Sequence, residues 1–126
     1  KWAEKLSGIG VKIISLADTV GLAESHQVKS ITQHLIESLP KIEIGVHLHS
    51  TASHWKEKID AALDAGCVRF DGALKGIGGC PMAGNDLVGN MNTELMLPYF
   101  QKMGRLNPIN EEALSHSIQL AGKIFI

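Results

Sequence analysis

Residues 42–50 read I-E-I-G-V-H-L-H-S, and the alternation in this stretch decides how the rest of the chain is read. Side chains alternate across a strand, so Ile42, Ile44, Val46 and Leu48 share one face while Glu43, Gly45, His47 and His49 share the other. One face is wholly apolar. The other ends in two imidazoles, one pleat repeat apart at the C-terminal end of the strand, where they can converge on one ion. H-x-H is short and also arises by chance, and the same two residues read equally as core histidines satisfied by hydrogen bonds.

Upstream, Gly8 and Gly10 stop a short helical tail over residues 2–7, and V-K-I-I-S-L-A-D-T supplies a β-branched run for a strand over 11–17. Asp18 and Thr19 close that strand and Gly21 permits a tight turn. In residues 24–39, Val28, Ile31, Leu35, Ile36 and Leu39 fall at helical spacing, and Pro40 ends the helix just before the histidine-bearing strand. Downstream, Thr51 or Ser53 can cap a third helix whose buried face is Trp55, Ile59, Ala62, Leu63 and Ala65, stopped by Gly66. The run C-V-R-F-D-G-A-L at 67–74 repeats the strand design, with Val68 and Phe70 on one face and Cys67, Arg69 and Asp71 on the other. Residues 75–90 carry too much Gly, Asn and Pro for a helix and form a long loop. Asn92 then caps a helix over 93–103, which Pro98 should kink or break, and Asn110 before Glu111 and Glu112 opens the last helix.

Strands alternating with helices imply an α/β fold with parallel strands, and polar groups at strand C-termini place a site on that rim. An inward polar and outward apolar strand face suits a (β/α)8 TIM barrel better than an open sheet, yet three or four strands are only about half of eight. The chain also begins at Lys1, with its first residues already reading as the end of a helix. The expectation is one partial barrel domain over residues 1–126, the C-terminal half, with the N-terminal strands absent.

Composition narrows the class. The chain of 126 residues is 44% hydrophobic and 20% charged, ordinary for a globular domain, and its formal charge of −1 gives no basic excess to hold nucleic acid. Apolar runs fall well short of the roughly 20 residues that span a bilayer, and no signal-peptide pattern opens the sequence, so no membrane partner and a cytoplasmic location are expected. Two cysteines, Cys67 in a strand and Cys80 in the glycine loop, make no disulfide framework and fit a reducing compartment.

Asp18, His47, His49, Asp71, Cys80 and Asn90 thus gather at strand ends and in one loop. In order, L-A-D-T-V-G, V-H-L-H-S and G-I-G-G-C-P followed by G-N-x-x-T-E resemble the C-terminal half of the hydroxymethylglutaryl-CoA lyase family, within a superfamily of metal-dependent TIM-barrel lyases and aldolases. The likeness runs from about Val11 through nearly the whole chain, and G-G-C-P is its most specific part.

The resemblance implies a divalent-metal-dependent enzyme, using magnesium or manganese, that splits 3-hydroxy-3-methylglutaryl-CoA into acetoacetate and acetyl-CoA by a retro-Claisen step. It implies His47, His49 and Asn90 as metal ligands, with Asn85 the spare candidate because Asn90 stands one residue farther from the cysteine than is usual in the family. Two imidazoles and an amide oxygen leave room for carboxylate, substrate oxygens and water, a shell suited to these ions. Cys80 is implied as the acid that protonates the acetyl-CoA enolate, while Cys67 is a packing residue. Asp18 matches an acidic residue near the family's substrate site and could position the hydroxyl or a base; it reads otherwise as a strand-end turn carboxylate. Asp71 could orient a ligand histidine or cap a turn. His26, His34, His54 and His116 lie on helices facing solvent. Two departures are visible: Ser50 stands where many members carry Asp, and the family's R-D-G strand, with a metal-binding Asp and a catalytic Arg, has no counterpart among these residues, since Arg69 to Gly72 read R-F-D-G. The expected partners are an acyl-CoA substrate and either a second copy or the missing half, and this chain alone is expected to be inactive. An aldolase or acyl-CoA-dependent synthase of the same superfamily and a non-catalytic metal-binding half-barrel are the rivals.

Overall fold

Three parallel strands, β1 (Ile13–Ala17), β2 (Glu43–His47) and β3 (Arg69–Asp71), pair in the order β1-β2-β3, with β2 in the middle. The computed structural model describes residues 1–79 and 88–125. A helix follows each of the first two strands, α2 (Ser25–Ser38) and α3 (Trp55–Asp64); α1 (Trp2–Gly8) precedes the sheet, and α4 (Thr93–Lys102) and α5 (Glu111–Ile124) close the described chain. Strand and helix alternate in an α/β fold, as the periodicities require.

The two faces of the sheet differ as the alternation predicts. Register places Ser15 beside Gly45 and Arg69, and Ala17 beside His47 and Asp71, so the polar positions of all three strands share one face. On that face Arg69 pairs with Glu43 at 3.1 Å, and its stem lies over Gly45, where a methyl group would stand 2.9 Å from Cδ. Small size at position 45 thus makes room for Arg69. The opposite face supplies Val46 and, beyond β2, Leu48 to a core with Val28, Ile59, Ala61, Ala62, Cys67, Met91 and Met96. Full burial of side chains such as Val46 or Ile59 contributes roughly 1.5–3 kcal/mol each.

Several expected details change. In α2 the buried positions are Val28 and Thr32, while Ile31 is exposed; positions 31 and 32 both satisfy helical spacing from 28, and packing selects the second. Glu24 caps this helix in a reciprocal box with Gln27. Neither Thr51 nor Ser53 caps α3: the N-cap is His54, and both hydroxyls lie 3.0 Å from its Nδ1. Cys67 precedes the paired part of β3 and joins the apolar core rather than the polar face, whereas Val68 is exposed because no described element covers it. The helix α4 runs unbroken through Pro98, an exposed position where the carbonyl freed by the missing N–H can be met by water. Asn92 and Asn110 cap α4 and α5 through their side chains, accepting from Glu94 N and Ala113 N.

Candidate metal centre

His47 ends β2 and His49 lies just beyond it, so the strand delivers one imidazole and the following segment the other. Their ring centroids are 5.5 Å apart at 63°. His47 is half-exposed, and its Nδ1 lies 3.7 Å from Oδ2 of Asp71, the neighbouring residue in the register. That oxygen also accepts a hydrogen bond from Ser15 Oγ at 2.8 Å, so β1 steadies the β3 carboxylate that faces the β2 histidine. His49 is buried. Its Nδ1 sits 3.0 Å from the carbonyl of Val88, which leaves Nε2 as the nitrogen for another partner.

Asn90 comes from the far side of the glycine loop and meets His49 across an isolated antiparallel bridge. Its Nδ2 donates to the carbonyl of Ile77 at 2.8 Å, which turns the amide by its nitrogen end. The other end, Oδ1, is buried and has no hydrogen-bond partner among the described residues. A buried acceptor without a donor is costly, and a cation is one ligand that removes the cost. His47, His49 and Asn90 therefore fit a divalent cation in their donor chemistry. Among the described residues no three His, Cys, Asp or Glu side chains form a cluster that could hold one, so the set rests on two imidazoles and an amide.

The remaining candidates divide. The Asp18 side chain is buried: both carboxylate oxygens accept from Ala23 N at 3.2 Å, and Oδ2 accepts from Lys58 Nζ at 2.8 Å. It thus holds the β1–α2 turn. Asp71 takes up the place beside His47. Cys80 and Asn85 lie outside the described residues. His26, His34 and His116 are exposed on helices and His54 is exposed just ahead of α3. Cys67 is fully buried, its thiol donating to the carbonyls of Arg69 at 3.2 Å and Ile44 at 3.5 Å, and burial pushes its pKa up. The cleft beside β3, lined mainly by apolar side chains such as Val68, Phe70, Met96 and Phe100, is bordered by Cys67 but not by His47, His49, Asn90, Asp18 or Asp71.

Sequence reading missed Lys58, which is buried with its ammonium on Asp18, Gly21 and His49. The signal was present: position 58 falls three after Trp55 and four before Ala62, inside the apolar stripe of α3.

A family model described as HMGL-like matches residues 1–119. The chain belongs to the HMGL-like family. Among curated relatives, this HMGL-like chain is 37% identical over 112 residues to the (R)-citramalyl-CoA lyase of Chloroflexus aurantiacus, covering 89% of the chain and 35% of that protein. It is 34% identical over 101 residues to the hydroxymethylglutaryl-CoA lyase YngG of Bacillus subtilis, covering 80% and 33%. The solved HMG-CoA lyase of Acinetobacter baumannii, in complex with coenzyme A and 3-methylmalate, superposes with a TM-score of 0.80 at 32% identity over 96% of the chain and 40% of that structure. The chain spans about a third of the length of the curated relatives it matches. Its parallel α/β architecture is that of the corresponding part of the lyase TIM barrel. Among the described residues no helix is long and apolar enough to cross a membrane.

Proposed function

We propose that this HMGL-like chain carries the metal-binding rim of a lyase that cleaves 3-hydroxy-3-methylglutaryl-CoA into acetyl-CoA and acetoacetate, in a reducing cytoplasm. The observation that carries the reading is Asn90 Oδ1, a buried oxygen without a described donor, on a residue whose backbone pairs with His49 in a chain related to acyl-CoA lyases. In the cleavage the C3 hydroxyl loses its proton, the C2–C3 bond breaks, C3 becomes the ketone of acetoacetate, and the electron pair passes to the acetyl-CoA enolate, which takes a proton at C2. A magnesium or manganese ion held by His47, His49 and Asn90 would supply polarisation of the substrate oxygens where negative charge develops.

The chain's own groups divide the rest. Asp71, steadied by Ser15, orients His47, and the Val88 carbonyl fixes the ring of His49. Cys80 is the proposed donor to the enolate, a task for which a thiol of ordinary acidity is suited at neutral pH. Asp18, committed to Ala23 and Lys58, serves in this reading by holding the β1–α2 turn at the substrate rim. The partners are an acyl-CoA and a second copy or the remainder of a barrel.

The test is acetoacetate release by the full-length protein from 3-hydroxy-3-methylglutaryl-CoA with and without magnesium or manganese, alongside Cys80→Ala. Turnover that needs the ion and falls by orders of magnitude in Cys80→Ala is expected; release indifferent to chelator, or equal in the variant, removes the corresponding role. The identity to the citramalyl-CoA lyase favours one second reading, cleavage of citramalyl-CoA at the same site, which pyruvate release from that substrate, run beside the acetoacetate assay, separates.

A further inference from the structure

The main chain at both histidines is held from Asp18, the residue just past β1, at His47 by a backbone bond and at His49 through a buried ion pair. The ladder between β1 and β2 ends at Ala17 and His47, and one more bond follows it, from Asp18 N to the carbonyl of His47 at 3.0 Å. Beyond this the β1 chain turns away and can no longer hold the segment that bears His49. Its place is taken by Lys58, whose Nζ donates to the His49 carbonyl at 2.9 Å, to the Gly21 carbonyl at 3.0 Å and to Asp18 Oδ2 at 2.8 Å. All three ammonium protons have acceptors. The other edge of the same segment is held by Met91 N on the Leu48 carbonyl and by Ser50 N on the Gly89 carbonyl, each at 3.2 Å.

Asp18 thus reaches His47 through its main chain and His49 through Lys58. Both side chains of the pair are more than nine-tenths buried, so the geometry is not shared with water. We propose that Lys58 is a positioning residue which, with Asp18, sets the spacing of the two imidazoles by fixing the His49 carbonyl. The inference rests on the metal reading above and deepens it. A lysine is suited to the task because its compact ammonium bonds a carboxylate and two carbonyls at once from the stem of a helix. A cost comes with it, since removing the ammonium alone leaves Asp18 buried without a counter-charge.

The experiment compares Lys58→Arg, Lys58→Met and the double variant Lys58→Met/Asp18→Asn in the full-length protein, each confirmed folded by circular dichroism at the temperature used. Manganese affinity is read by calorimetry, and the ring nitrogens of His49 by 15N NMR in the metal-free protein. The double variant removes both charges, so it keeps its fold while losing the hold on the His49 carbonyl. We expect it to bind manganese roughly 10–100-fold more weakly, with moved His49 ring resonances, and Lys58→Arg to recover part of the affinity. A folded double variant with wild-type manganese affinity and unmoved resonances overturns the proposal. Wild-type protein that binds no manganese overturns the metal reading instead, and the NMR comparison alone then decides whether Lys58 positions His49.

Discussion

His49 and Asn90, far apart in sequence, face each other across an isolated antiparallel bridge that joins the end of β2 to the far side of the glycine loop. Because the bridge is bonded on both sides, at Leu48 with Met91 and at Ser50 with Gly89, loop and strand move as one at this point. Manganese titration of the full-length protein should therefore respond to Asn90→Ala as well as to the double change of His47 and His49 to Ala. Loss of detectable binding is expected for the histidine pair and a weaker isotherm for Asn90→Ala. Unchanged affinity in the double histidine variant would sink the assignment of the centre.

Cys67 tests the division between the two cysteines. Its thiol is buried in the core and hydrogen-bonded to two carbonyls, so Cys67→Ser should cost about 1–3 kcal/mol in urea unfolding, with little direct effect on chemistry at the rim. Burial raises its pKa above the ordinary 9.0, so the folded state retains the proton longer than the unfolded one. Stability from this group is therefore full below pH 9.0 and declines as pH rises from there through the folded value. Cys67→Ala should remove that part of the alkaline decline.

What could be read in advance, and what could not, follows the range of the interactions involved. The alternation of Glu43, Gly45 and His47 against Ile44 and Val46 is local, and the sheet reproduces it, with Arg69 and Asp71 on the same polar side. Caps are local too, and Asn92 and Asn110 lie where the sequence puts them. Ile31 is the position the sequence pattern selects and Thr32 the one the structure buries, because helical spacing accepts either and only packing on the sheet chooses. Val68 fits a buried strand by composition, yet its burial needs an element to cover it, and none of the described residues does. Lys58 was missed for a different reason. A lysine within an apolar stripe reads as an exception until Asp18, brought close only by the fold, supplies the counter-charge.

The contact between α3 and α4 should be acid-sensitive. Asp60 accepts hydrogen bonds from Lys56 on its own helix, at 2.6 Å, and from the Tyr99 hydroxyl on α4. Burial pushes the carboxyl up, but the hydrogen bonds from Lys56 and Tyr99 outweigh it and hold the pKa below the ordinary 3.8. The unfolded chain therefore takes up the proton first. Stability from Asp60 is present above pH 3.8 and is lost as pH falls from there through the folded value. Acid unfolding followed by Tyr99 fluorescence or circular dichroism should be less steep in Asp60→Asn; identical acid limbs would remove this role.

Gly89 is where backbone geometry and the candidate centre meet. A methyl group at this position would stand 2.6 Å from the carbonyl oxygen of Gly76, a backbone atom that cannot rotate away. Gly89→Ala must therefore push the two sides of the loop apart, and Asn90 is the next residue, tied to the same loop through Ile77 and Gly78. The expected result is a loss of about 1–3 kcal/mol in stability together with weakened manganese binding, the two arising from one displacement. Gly8→Ala is the control, because nothing lies within 4 Å of a methyl group there and the residue ends α1, so its effect should stay within about 0.5 kcal/mol with manganese affinity unchanged. If Gly89→Ala unfolds at the wild-type urea concentration and binds manganese as tightly as wild type, the close approach of Gly76 and Gly89 does not set the position of Asn90.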